Sequence, residues 1–79
     1  MLDCNPMILT YIHNRKLFIQ FDRVIKKGLI YITADGEFEE TKNVNTSNFE
    51  IIDLPEKIKN IKITIDFGKT RIIRTIKIE

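Results

Sequence analysis

The chain predicts an all-β domain, an antiparallel sandwich of about seven short strands spanning residues 1–79. Three observations carry this. Apolar residues recur at every second position almost throughout, the period of a half-buried strand. Turn-forming residues fall between these runs at near-regular spacing. No segment shows a helical period; at most "LPEKIKNI" would make a single turn. A small closed barrel of five strands is the structural alternative.

The elements follow in order. "MILTYI", Met7 to Ile12, is entered through Asn5-Pro6 and left at a turn containing Asn14. "KLFIQFD" puts Leu17, Ile19 and Phe21 on one face and Phe18 and Gln20 on the other. "GLIYIT", Gly28 to Thr33, is a more continuous apolar run, as a central strand has. Asp35-Gly36 predicts a type I′ hairpin turn, because both central positions there need positive φ. The polar "EFEETKNV" then reads as an edge strand, "NVNTSN" as a loop, and "FEIIDL" as a short strand ending at Pro55. After the connector "PEKIKN", Ile61, Ile63, Ile65 and Phe67 share one face of the next strand, and Gly68-Lys69 suits a type II′ turn. In the last strand Ile72, Ile76 and Ile78 share a parity that Arg74 interrupts, so a β-bulge is expected near Arg74. The expected core is Ile12, Leu17, Ile19, Phe21, Ile30, Ile32, Ile51, Ile61, Ile63, Ile65 and Ile76.

Composition narrows the function classes. With 79 residues, 43% hydrophobic and 30% charged, the chain has room for one domain and too much apolar character for disorder. Its single cysteine, Cys4, excludes an intrachain disulfide. No apolar run is long enough to span a bilayer as a helix, so membrane insertion is not expected. "MLDC" differs from a lipoprotein cleavage box in its aspartate and in lacking a preceding apolar stretch.

Catalytic chemistry finds no residue set. His13 is the only histidine and sits in a predicted turn; Cys4 is distant from it in sequence, with no patterned third member. No two soft ligands stand at zinc spacing, and the acidic group Asp35, Glu37, Glu39 and Glu40 lacks the dense ligand loop of calcium sites. That group reads as a solvated edge. Asn45-Thr46-Ser47 matches the glycosylation sequon, a frequent chance match. No enzyme, metal or cofactor is expected.

Charge is unevenly distributed. Residues 1–34 carry a net +3, residues 35–54 a net −5 and residues 55–79 a net +4. In the closing hairpin Lys62 and Lys77 are placed on an outer face, with Arg71 and Arg74 near the turn, which makes these four the candidate polyanion-binding residues. No aromatic joins them; Tyr11, Phe18 and Tyr31 point outward but on separate strands. Lysine on a hairpin's outer face usually keeps it soluble and unpaired. The acidic and basic segments either neighbour each other within one sandwich or lead copies to associate weakly through edge strands.

The pieces "LFIQF", "IYITADGEF", "IIDLP" and "IKITIDFGKTRIIRTIKI" together resemble the small immunoglobulin-like domains common in Bacteroides-type bacteria, over Lys16 to Ile78. C-terminal sorting domains of secreted proteins in those bacteria look similar. Where such domains carry Gly-x-Tyr after Leu-Pro, this chain has "EKIKNI". The resemblance implies an immunoglobulin-like sandwich without catalytic residues, a secreted, periplasmic or surface accessory module of unknown function. The expected function is therefore a non-catalytic binding or structural module of an extracytoplasmic bacterial protein, with a protein or cell-surface partner. The rival is a small nucleic-acid or polyanion binder using Lys62, Arg71, Arg74 and Lys77.

Overall fold

The computed structural model describes residues 6–35 and 38–78. Cys4 and the cleavage-box comparison, Gly36 and Glu37 lie outside them. Seven strands form: β1 (Ile8–His13), β2 (Lys16–Ile25), β3 (Gly28–Ala34), β4 (Phe38–Val44), β5 (Ser47–Asp53), β6 (Asn60–Asp66) and β7 (Arg71–Lys77). All pairings are antiparallel, in a three-stranded sheet β1-β2-β5 and a four-stranded sheet β4-β3-β6-β7. The two sheets pack as a sandwich. Neither closes into a barrel.

The turns show how local sequence sets this topology. Asn14 and Arg15 both take positive φ, 51° and 61°, the pair that a type I′ turn needs, and so join His13 to Lys16 in tight register. Gly68 takes φ 94° at the first position of the Gly68-Lys69 turn, and the Phe67 N–H donates to the Thr70 carbonyl (2.8 Å) across it. The β3–β4 turn differs from expectation. Ala34 pairs with Phe38, so the connection is one residue longer than a two-residue type I′ turn, although Asp35 does take φ 50°. The expected "NVNTSN" loop shrinks to Asn45-Thr46, because β4 runs on to Val44 and β5 begins at Ser47. Thr46, at φ 54°, makes the crossing from the larger sheet to the smaller, and its N–H is satisfied by the Lys26 carbonyl (3.1 Å).

Strand alternation delivers one face of each sheet to a common core. Leu17, Ile19 and Phe21 from β2 meet Ile30 and Ile32 from β3 and Ile61, Ile63 and Ile65 from β6, all essentially inaccessible to water. Phe67 sets its ring edge-on to Phe21 at 5.9 Å, closing one end. Gly28 begins β3 where backbone crowds: a Cβ there would stand 3.3 Å from the Asp66 carbonyl oxygen. Ile12 and Ile76, expected in the centre, lie at its margin, half-buried against it.

Two expectations are corrected. Ile51 is not a core residue: β5 turns Ile52 inward, and Ile51 faces out at 40% exposure. A run of two isoleucines cannot reveal which one the pairing with Leu17 selects. The bulge expected near Arg74 does not form either. The β6–β7 register runs unbroken from Asn60↔Lys77 to Asp66↔Arg71, and the shift in register lies in β2, between Gln20 and Ile25. Arg74 keeps its inward parity because β7 is a sheet edge. There its Nη1 donates to the Ile8 carbonyl of β1 (3.2 Å), across the open side of the sandwich.

The other open side has a matching contact. Lys42 also faces inward from an edge strand, β4, and its Nζ donates to the Ile51 carbonyl (3.2 Å) and lies 3.4 Å from the Glu50 carboxylate. The Asp22 N–H bonds to the Met7 carbonyl within the β1–β2 ladder, so alternation turns the Ile8 carbonyl toward the open edge. The Leu54 N–H donates to the Arg15 carbonyl, consistent with the Ile51 carbonyl facing outward on β5. A cation of the larger sheet thus caps an exposed edge carbonyl of the smaller one on each side.

Candidate functional site

The outer face of the smaller sheet is largely apolar, with Gln20 an exposed polar residue on its central strand. The β1–β2–β5 register sets Leu9, Gln20 and Phe49 in one row and Tyr11, Phe18 and Ile51 in the next. Met7, Leu9 and Tyr11 are 73%, 69% and 53% exposed, and Phe49 and Ile51 are each 40% exposed. Tyr11 stacks on Phe18 with centroids 4.7 Å apart and planes 9° from parallel; Phe18 meets Phe49 at 6.0 Å. The last row is charged: His13, then Lys16 bonded to Asp53 at 2.7 Å. Strand spacing of about 4.8 Å and a rise of about 3.4 Å per residue make this face about 14 Å by 20 Å. It is a contiguous apolar surface with a polar border, the anatomy of a contact patch.

The ring geometry restricts what this face can bind. Tyr11 and Phe18 cover each other's π-faces as a cross-strand pair, so they do not lie flat as a platform for a sugar or a base. They present ring edges and hydrocarbon.

The outer face of the larger sheet is mixed. Rows run Asn43, Leu29, Asp66, Arg71; then Thr41, Tyr31, Thr64, Ile73; then Glu39, Thr33, Lys62, Thr75. Of the four candidate polyanion-binding residues, Lys62 and Lys77 are diagonal neighbours on this face, and Arg71 lies on it near the turn. Arg71 is paired with Asp66 (3.2 Å), and Arg74 points to the opposite side of the sheet. The fold therefore places three of the four on one face but brings only Lys62 and Lys77 together; Arg71 stands at the far end of β7, neutralised by Asp66.

Asp35 departs from the solvated acidic edge expected of its segment. Its carboxylate accepts the backbone N–H groups of Lys59 (2.8 Å) and Asn60 (3.2 Å). His13 is exposed at the end of β1, as expected of a turn residue.

An open cleft of about 730 Å³ lies at one end of the sandwich, lined by Lys26, Lys27, Asn43, Asn45, Asp66 and the Phe67 ring among others. It holds no nucleophile with an adjacent base. Among the described residues no cluster of His, Cys, Asp or Glu is placed to hold a metal ion, and no helix is long and apolar enough to cross a membrane. No protein-family model matches the chain, and no curated protein matches it in sequence.

Sequence reasoning missed the apolar face by treating Tyr11 and Phe18 as isolated and Ile51 as core. The signal was present in "YIHNRKLF": a two-residue turn at Asn14-Arg15 sets Tyr11 opposite Phe18.

Three surface carboxylates titrate below their ordinary value of 3.8: Asp22 through its hydrogen bond from Arg23, Asp53 through that from Lys16, and Asp66 through the Gly68 N–H and then Arg71. Carboxyls with a depressed folded-state pKa stabilise the fold above the unfolded value, and that stabilisation is lost as pH falls through the folded value. The melting temperature is thus expected to be flat at neutral to mildly acid pH and to fall as pH drops below 3.8. A pH series of thermal melts checks this, and a loss on the alkaline side of neutrality would contradict it.

Proposed function

We propose that this protein is a non-catalytic β-sandwich module that docks an apolar protein surface on the outer face of its three-stranded sheet. The observation that carries the proposal is the contiguous exposure of Leu9, Tyr11, Phe49 and Ile51 there, on strands whose other faces fill the core. The stacked rings favour protein over carbohydrate or nucleic acid. A stable interface buries about 800 Å² on each partner, and this face offers about 300 Å². So small an area suits a weak, transient contact. The strand order β1-β2-β5 over β4-β3-β6-β7 supports grouping the module with immunoglobulin-like sandwiches. Its bacterial, extracytoplasmic setting rests on the sequence resemblance.

The test uses a photo-crosslinking side chain at Phe49, and separately at Lys62, in native cells. A protein captured from Phe49 and not from Lys62 is then purified and its affinity measured. Leu9→Lys with Phe49→Lys should weaken binding at least about 30-fold, the loss expected of hot-spot residues. Unchanged affinity would refute the proposal. Salt-sensitive NMR shifts confined to Lys62–Lys77 on adding oligonucleotide would replace it with polyanion binding.

A further inference from the structure

The acidic strand β4 and the basic strand β7 are not neighbours. β4 and β7 are the two edges of the same four-stranded sheet, with β3 and β6 between them. Their opposite charges are therefore not spent on each other within the molecule. β4 carries Glu39, Glu40 and Lys42, a net −1; β7 carries Arg71, Arg74 and Lys77, a net +3.

The backbone at both edges is oriented to pair. The Phe67–Thr70 and Ile78–Lys59 bonds fix which residues of β7 bond to β6 and, by alternation, leave the N–H and C=O groups of Arg71, Ile73, Thr75 and Lys77 facing outward. The same alternation, carried through β6 and β3, leaves those of Glu39, Thr41 and Asn43 facing outward on β4. Both strands are seven residues long. Along the sheet, β4 and β7 run in opposite directions, so a copy displaced sideways by four strands presents β4 antiparallel to β7. Four strands span about 19 Å.

We infer that copies of this chain associate head to tail, β7 of one pairing with β4 of the next so that the four-stranded sheet continues between molecules. One register matches charges as well as backbone. With Ile73 opposite Thr41, Arg74 stands opposite Glu40 and Ile76 opposite Phe38, while Ile72 meets Lys42. A slip of two residues one way sets Arg74 against Lys42, and the other way sets Arg74 against Phe38 and Ile72 against Glu40, so each loses the ion pair. Pairing of β7 with β7 sets cations together, and pairing of β4 with β4 joins two strands of net −1 whose one cation, Lys42, is already held by Glu50 and the Ile51 carbonyl, so both are less favoured than β7 with β4. Charged edges ordinarily prevent association. Here the opposite signs of β4 and β7 lift that protection most for the head-to-tail pairing. Such a contact is heterologous and does not close on itself, so it yields chains of copies and not a dimer.

Sedimentation velocity of the full chain tests this from micromolar to millimolar concentration at low and high salt. The sedimentation coefficient should rise with concentration beyond a dimer at low salt and return to the monomer value at high salt. Glu39→Lys with Glu40→Lys makes both edges positive, and Thr75→Glu with Lys77→Glu takes β7 from a net +3 to neutral and sets a carboxylate at position 75 opposite Glu39. Each variant alone should be monomeric, whereas an equimolar mixture should associate again. Thr75→Pro removes an N–H that faces the open edge, and should weaken association at least tenfold with the circular dichroism spectrum kept. If that variant does not fold, the charge-reversal mixture decides alone. A wild-type chain that stays monomeric at millimolar concentration and low salt overturns the inference. So does a mixture that fails to associate. A closed dimer indifferent to these changes but lost on Leu9→Lys with Phe49→Lys would overturn it too, placing association on the apolar face.

Discussion

Replacing Ile63 by alanine is expected to destabilise the domain by about 2–5 kcal/mol, the cost of deleting a buried branched side chain and leaving a cavity. Ile63 is wholly inaccessible at the middle of β6, paired with Ile32 on one side and Arg74 on the other. Its side chain has no surface exposed to solvent, so its truncation leaves an enclosed space. A domain of this length has about 4–12 kcal/mol in total, so the change removes a large share and unfolds the protein if stability lies at the low end. Urea denaturation should show a lower midpoint with an unchanged slope. The melting temperature should drop by about 10 °C or more. The matched control is Ile51→Ala. Periodicity placed both isoleucines in the core, but Ile51 faces out beside Phe18, and its loss should cost only about 0.5–1 kcal/mol. Equal effects at the two positions would mean that β5 is one residue out of register.

Asp35→Ala should have the largest effect of any polar substitution, about 1.5–3 kcal/mol, the range for hydrogen bonds to a charged group. One carboxylate oxygen accepts the Lys59 N–H and the other the Asn60 N–H, residues 24 and 25 positions away. The bonds tie the β3–β4 turn to the start of β6, beside the Ala34↔Ile61 pair that brings β6 onto β3. Alanine loses both acceptors and also suits φ 50° poorly, whereas asparagine tolerates that conformation and keeps one acceptor. Asp35→Asn should therefore cost roughly half as much. Amide hydrogen exchange at Lys59 and Asn60 should quicken more in the alanine variant than in the asparagine one. Equal protection in both variants and the wild type would show that the two N–H groups do not depend on Asp35.

The function reading and the assembly reading use different surfaces and fail separately. The apolar face belongs to β1, β2 and β5, whereas the complementary edges are β4 and β7. Lysine at Leu9 and Phe49 should leave head-to-tail association intact, and charge reversal on β7 should leave docking on the apolar face intact.

What the sequence determined by itself is the local grammar. Alternation at Leu17, Ile19 and Phe21, and again at Ile61, Ile63 and Ile65, announces both the strands and their buried faces, because side-chain direction in a strand has period 2. Asn14 and Gly68 announce turns because positive φ suits few residues. Tertiary structure alone decided everything that depends on which strands become neighbours. It placed Ile52 inward and Ile51 outward, turned Arg74 toward β1 without a bulge, and gathered Leu9, Tyr11, Phe18, Phe49 and Ile51 onto one face. It also sent the acidic and basic strands to opposite edges of one sheet, where the sequence had left them free to be partners. The physical reason is that hydrophobic periodicity is a property of a strand alone. Register and strand order are properties of pairs, set by ladders between residues distant along the chain.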